Sequence, residues 1–379
     1  MRVAIVTESF PPDINGVAHC TLQTADHLHR RGHHPLVIAP AGPPGGPPPE
    51  SELDRSRPYP VVRIASLPLP GYPQVRLALP SRRLASAITS HKSDVVHLAS
   101  PFVLGARGMT AALRLRIPTV AVYQTDLGGY ARTYLGAGEN AAWRRIRAVH
   151  TAADRTLAPS TAAARDLDEH GVPRVRLWPR GVDTERFQPA RRDPDLRRRL
   201  APGGELIVGY VGRLAPEKNV ELLAPLCLLP GVRVVVVGDG PSEPALRAAM
   251  PGARFLGRRT GGELARIFAS LDVFVHTGPQ ETFCQTVQEA QASGVPVVAP
   301  AAGGPLDLVD HGRTGLLVPP GDATEVSEAV SRLTADPGLR SGLGRAGREA
   351  VEGRTWGAIV DQLIDHYAEV LTDRTAVAA

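Results

Sequence analysis

Aromatic residues make up only 4% of this 379-residue chain, and its cysteines number three, Cys20, Cys227 and Cys284. An odd trio without metal-ligand spacing supports neither a disulfide framework nor a zinc site, so free thiols are expected. The shortage of aromatics also bears on the net charge of +5. Arginines cluster at Arg144, Arg145 and Arg147 and again at Arg197, Arg198 and Arg199, but without the interleaved aromatics of an RNA-recognition surface, so nucleic acid is not expected as a partner. No apolar run approaches the ~20 residues that cross a bilayer, and charges at Arg2 and Glu8 interrupt the opening stretch before it could act as a signal peptide. A cytoplasmic protein is expected. Trp143 beside Arg144 and Arg145, on a segment with amphipathic helical spacing, leaves peripheral contact with the inner membrane face as an open alternative to a solvated structural helix.

What the chain does have is alternation. Short apolar strand-like runs at residues 3–7, 35–38, 61–64, 95–98, 119–123 and 156–158 alternate with helix-like stretches, the pattern of a parallel sheet with helices on both faces. The Pro- and Gly-rich residues 40–60 break the alternation and read as a surface loop. A second cycle has strand-like runs at 206–211, 233–237, 254–256, 273–276, 295–299 and 315–318, and residues 178–183 read as a connector. The fold class expected is therefore α/β, with two doubly wound Rossmann-like domains at 1–180 and 181–356. In such a pair the carboxyl ends of the strands would face a central cleft. A last helix within 357–379 has Ile359, Leu363, Tyr367 and Val370 on one side and is expected to pack back on the first domain.

The most informative stretch is 277–300. Glu281 and Glu289, with seven residues between them, bracket a helix start that follows Gly278 and Pro279. The backbone N–H groups of Thr282, Phe283, Cys284 and Gln285 would lack intrahelical partners there, leaving donors and partial positive charge for phosphates and sugar hydroxyls. Arg213 and Lys218 follow a strand that ends in glycine, and two cations at a strand end suit a diphosphate, although two exposed loop side chains fit the segment equally. Gly238 ends a further strand, yet Glu243 stands where a dinucleotide fingerprint needs its third glycine, which argues against a dehydrogenase or a nucleotide-sugar epimerase. Near the start, Gly16 opens a helix and would let the backbone approach a phosphate closely, or serve as a plain turn.

Taken in order, Gly16, Gly181 to Asp183, Gly212 to Asn219, Val237 to Pro241, the two glutamates, and Gly315 to Asp322 resemble the retaining glycosyltransferases of the GT-B fold, family 4, over almost the whole chain. By that resemblance Arg213 and Lys218 bind the donor diphosphate, Glu281 and the backbone at Thr282, Phe283, Cys284 and Gln285 hold the donor sugar, Val287 lines the donor site, and Glu289 accepts from the ribose. Gly238, Gly257 and Arg258 would lie near the nucleotide. Arg213, Lys218, Glu281 and Asp126 are the catalytic candidates, and Gln124 and Asp126 the acceptor or sugar candidates.

Within the family the opening residues and the Gln285 region look most like actinobacterial mannosyltransferases of glycolipids, which implies GDP-mannose as donor and a lipid, glycan or small-molecule acceptor. UDP-sugar-dependent lipid glycosyltransferases share much of the wording, and a non-catalytic sugar-nucleotide-binding protein is the alternative of another class. Many members carry histidine where this chain has Gln124, which can donate to a hydroxyl but cannot act as an acid or base. Asp193 with Asp195, and Asp166 with Asp168, have metal-site spacing but read as solvated. No metal and no cofactor are expected.

Overall fold

Near-continuous runs such as Val3 to Val6 and Val232 to Val237 are what strands buried on both faces look like in sequence, since neither face can afford polar side chains. In the computed structural model, which describes residues 1–42, 52–69, 72–124 and 139–378, those runs form the centres of two parallel sheets. The chain divides into two units, Met1–Arg180 with Trp356–Ala379, and Gly181–Thr355.

The first unit contains β1 (Arg2–Val6), β2 (His34–Pro40), β3 (Val61–Ile64), β4 (Ser66–Leu69), β5 (Tyr72–Ala78), β6 (Val95–Leu98), β7 (Thr119–Val122), β8 (Arg155–Ala158) and β9 (Val175–Leu177). Seven of these form a parallel sheet in the order β3-β2-β1-β6-β7-β8-β9, while β4 and β5 pair as a separate antiparallel hairpin. The second unit contains β10 (Leu206–Val211), β11 (Val232–Val237), β12 (Arg254–Phe255), β13 (Val273–Val275), β14 (Val297–Pro300) and β15 (Gly315–Val318), in the order β12-β11-β10-β13-β14-β15. Strand order reverses between β1 and β6 and between β10 and β13, the places where open α/β sheets bind ligands.

Several local expectations change. Within residues 40–60, β2 continues to Pro40 and Glu52–Arg55 forms a short helix, where Asp54 makes a buried ion pair with Arg63 at 2.9 Å. The strand expected at 295–299 is β14, Val297–Pro300, because Gly294 in the left-handed region (φ 72°) and Pro296 occupy the turn before it. The helix Glu139–Ala152 turns Trp143 inward, where it stacks on His170 with ring centroids 3.5 Å apart, so this tryptophan cannot anchor a membrane contact. Arg144, Arg145 and Arg147 occupy the exposed face. Asp193 accepts from the Leu196 N–H and caps the helix Pro194–Leu200, and Asp195 pairs with Arg198. Among the described residues no helix is long and apolar enough to cross a membrane.

The helix Trp356–Ala378 completes the first unit. Trp356, Ile359, Val360, Leu363, Tyr367 and Val370 join Val3, Ile5, Val95, Val120 and Trp178 in one apolar cluster. Polar contacts fix its register: the Trp178 indole donates to the Ile359 carbonyl at 2.8 Å, and the Tyr367 hydroxyl meets His97 Nδ1 at 2.7 Å. Burial pushes His97 down to about 3, so it is a neutral partner for the phenol. Truncating fully buried Leu363 to alanine should lower the unfolding free energy of this unit by about 2–5 kcal/mol, whereas Asp361→Ala, on the exposed side of the same helix, should leave it nearly unchanged. Urea unfolding followed by tryptophan fluorescence measures both.

Candidate active site

The segments leaving β10 and β13 in the second unit carry a set of paired, partly buried charges. After β10 the chain passes through Gly212 and Arg213 into a single 3-10 turn, Pro216–Lys218, and Asn219 stops that turn in the left-handed region at φ 48°. Gly238, after β11, has φ 141°, and a Cβ there would fall 1.8 Å from the Gly212 carbonyl oxygen. Only glycine lets these two strand ends come so close.

Both cations of the turn have carboxylate partners. Arg213 pairs with Glu217, whose side chain is 3% exposed, and Lys218 Nζ donates to Glu281 Oε1 at 2.7 Å. The lysine backbone is fixed as well, because the Thr277 hydroxyl donates to the Lys218 carbonyl at 2.6 Å. Glu281 lies in the loop that follows β13. Its carbonyl accepts from the Gly304 N–H at 2.7 Å, and Gly303 passes so near in the left-handed region (φ 61°) that a Cβ would meet the Glu281 oxygen at 2.6 Å.

His276 directly follows β13 and is buried. Its Nε2 lies 3.1 Å from the Gly278 carbonyl and 3.3 Å from Glu281 Oε1. Burial by itself would raise the Glu281 carboxyl, but Lys218 and His276 outweigh it and hold the group well below the usual carboxylate range. Burial would likewise lower His276, but Cys284 and Glu281 lift it to about 10. The imidazolium therefore contributes stability in full below its unfolded value of 6.5, and that contribution is lost as pH rises through about 10. His276, Glu281 and Cys284 place nitrogen, oxygen and sulfur atoms within 4.8 Å of one another, a geometry within metal-ligand reach. The Lys218 ammonium already supplies the positive charge at that carboxylate.

The helix expected after Glu281 begins at Gln285 and runs to Ala292, later than the sequence suggests. Thr282 and Phe283 thus precede it and make interactions of their own, and the Phe283 ring is buried. Cys284 is the cap residue, at φ 76°. Gln285 turns its amide away to donate to the Gly181 carbonyl at 3.0 Å, and the Val287 side chain sits in the apolar core. Glu289 projects from this helix. Burial raises its carboxyl to about 8 despite the lowering influence of Arg186. Gly238, Gly257 and Arg258 meet at the ends of β11 and β12, where the Gly238 N–H donates to the Gly257 carbonyl at 2.9 Å and Arg258 lies 3.5 Å from Asp239.

In the first unit Gly16 starts the helix Gly16–Arg30, and Asn15 caps it by accepting from the Ala18 N–H at 2.9 Å. A Cβ on Gly16 would lie 2.9 Å from Nη1 of the buried Arg180. Gln124 is buried beside the same guanidinium: its amide donates to the Ala99 carbonyl at 3.0 Å, and its Oε1 lies 3.3 Å from Arg180 Nη2. Asp126 lies outside the described residues. Sequence reasoning passes over Glu217, Thr277, His276 and Arg180. Only Glu217 carries a readable signal, standing four residues after Arg213.

Two units with doubly wound parallel sheets, each with charged residues past the carboxyl ends of its strands, define a GT-B architecture. The model of Glycosyltransferase Family 4 matches residues 14–186, and that of Glycosyl transferases group 1 matches residues 205–336. The chain belongs to the family 4 glycosyltransferases and is a sugar-transferring enzyme. It is 49% identical to the GDP-mannose-dependent alpha-mannosyltransferase of Mycobacterium tuberculosis (strain CDC 1551 / Oshkosh), over 100% of this chain and 99% of that protein. It is also 49% identical to the protein of the same description from Mycolicibacterium smegmatis, over 100% of both chains. Among solved structures, HepE of Anabaena in complex with UDP superposes with a TM-score of 0.79 at 21% identity, covering 97% of this chain and 100% of that one, which speaks to fold alone.

The raised Glu289 carboxyl generates a stability test. Its folded value of about 8 lies above the ordinary 4.5, so the folded protein keeps a proton that the unfolded chain releases, and stability falls as pH rises between those values. Glu289→Gln removes that dependence. The Tm of the variant should therefore gain on that of the ligand-free wild type between pH 5 and pH 8, read by differential scanning calorimetry. A constant offset across that range would show that the carboxyl is not raised.

Proposed function

We propose that this enzyme moves mannose from GDP-mannose to a lipid or glycan acceptor with retention of anomeric configuration. Full-length likeness to proteins described as GDP-mannose-dependent alpha-mannosyltransferases is the observation that carries the assignment, since it extends at 49% identity over both units. The pairing of Lys218 with Glu281 supports it from geometry. A cation and a carboxylate in contact, next to the start of the helix Gln285–Ala292, can serve a diphosphate and a sugar hydroxyl side by side.

Transfer breaks the bond between the anomeric carbon and a phosphate oxygen, so negative charge grows on the leaving diphosphate and positive charge on the sugar ring. Arg213 and Lys218 would stabilise the former, exchanging part of their contact with Glu217 and Glu281 for the phosphates. Glu281 and the backbone at Cys284 and Gln285 would hold the sugar, Glu289 the ribose, and the Gly257 and Arg258 turn the base. Gly16 would approach the phosphates, and Gln124 and Asp126 would face the acceptor. No carboxylate is assigned as a covalent nucleophile. The acceptor attacks the face that the diphosphate leaves, and the departing phosphate oxygen takes its proton. The exposed arginines of the helix Glu139–Ala152 support work at the inner face of a membrane from the cytoplasm.

Calorimetry should rank GDP-mannose above UDP-glucose, and the reverse order would assign a UDP-sugar enzyme instead. Donor binding without hydrolysis or transfer to any cell-lipid or glycan acceptor would mark a non-catalytic binding protein. Transfer should survive EDTA, because the two cations do the work that a divalent ion does elsewhere. Activity lost to chelator and restored by magnesium or manganese would refute that. Lys218→Ala should lower kcat on the order of 10²–10³-fold with the fold intact, and a change confined to the donor KM would make the lysine a binding group only.

A further inference from the structure

We propose that His276 is a positioning residue for the donor sugar, acting through Glu281: it fixes the carboxylate that receives the sugar hydroxyls and touches no substrate itself. The proposal rests on the donor-site reading above and adds a residue to it.

Glu281 sits in a loop, between Pro279 and the helix that starts at Gln285, so no helix or strand sets its side-chain direction. Its main chain is tied by the Gly304 N–H at 2.7 Å. Its side chain is tied at a single atom: Oε1 lies 2.7 Å from Lys218 Nζ and 3.3 Å from His276 Nε2. A donating ammonium and a ring nitrogen of opposite charge, on two sides of one oxygen, hold the carboxylate better than one flexible ammonium does. They also leave Oε2 as the oxygen to which no described residue donates. A sugar hydroxyl that meets Glu281 would then donate to Oε2.

The histidine is itself rigidly held. It is 2% exposed, its ring lies nearly parallel to Tyr210 with centroids 6.3 Å apart, and Nε2 meets the Gly278 carbonyl in a hydrogen bond while facing Glu281 Oε1 as an ion pair. A plain core histidine would need only the Gly278 contact. Among the described residues no hydrogen bond reaches Nδ1, which is fully buried, a cost that an apolar ring such as phenylalanine would avoid. The contact with Glu281 is what an apolar substitute could not supply. Lys218 cannot take over the role, because it is also the cation that a diphosphate would draw away as the donor arrives. With the lysine engaged by phosphate, His276 is the group that keeps Oε1 in place.

The test compares GDP with GDP-mannose, which differ by the sugar. In His276→Phe the Kd for GDP-mannose should rise roughly 10–100-fold, the loss of one close partner to a charged group, while the Kd for GDP stays within about twofold of wild type. In a Glu281→Gln background the same substitution should add little. Should the phenylalanine variant fail to fold, His276→Gln serves: its amide can still reach Glu281 but lacks the charge, and a loss of about fivefold, again confined to GDP-mannose, is expected. Equal weakening of GDP and GDP-mannose, no weakening of either, or an undiminished effect in the Glu281→Gln background would each overturn the proposal. The functional reading fails differently. A wild type that binds another nucleotide sugar in preference overturns the choice of donor, and the same comparison then runs with that sugar and its nucleotide. A wild type that binds no nucleotide sugar overturns both.

Discussion

A carboxylate oxygen shared between an ammonium and an imidazolium is the constraint around which the second unit is arranged. Charges largely shielded from solvent are costly unless every partner is in place, and removing one leaves the others uncompensated. Lys218, His276 and Glu281 come from the segments after β10 and β13 and from the loop beyond, so the three meet only when the parallel sheet has formed in register. Correct folding and a correctly charged site are one event here. Thr277, which grips the lysine backbone, and Gly304, which grips the glutamate backbone, make the meeting point stiff.

The same economy applies to the neighbouring pair. Arg213 and Glu217 share one short turn, and Tyr210 donates to the Arg213 carbonyl at 3.1 Å, so the arginine is oriented from its own strand. Both cations thus rest against internal carboxylates. A diphosphate bound there, as proposed, would displace anions that remain nearby and would not have to recruit loose side chains from solvent, which would lower the ordering cost of binding.

Much of this architecture is legible without coordinates, for reasons that differ by element. Valine-rich runs announce parallel strands because burial on both faces forbids polar residues, and the stripe of Ile359, Leu363 and Tyr367 announces a helix with one apolar side. Glu281, Arg213 and Lys218 are legible as a set through the spacing they share with a family. What does not show is partnership. Nothing in the string tells that Lys218 will meet Glu281, 63 positions away, or that His276 will sit against it. Trp143 misleads for the opposite reason, since an amphipathic period locates the apolar face of a helix but not whether protein or lipid covers it. The helix start at Gln285 is misplaced because Cys284 adopts a left-handed conformation that few residues other than glycine reveal in advance.

The helix Trp356–Ala378 makes the first unit discontinuous in sequence, with all of Gly181–Thr355 interposed between its two pieces. During synthesis the seven-stranded sheet therefore emerges with the groove for that helix uncovered, and Trp178 and the apolar side chains around it stay exposed until the entire second unit has left the ribosome. The interval is a window of vulnerability to aggregation whose length is set by the translation time of the intervening residues, so slow codons there would endanger a part of the protein that they do not encode.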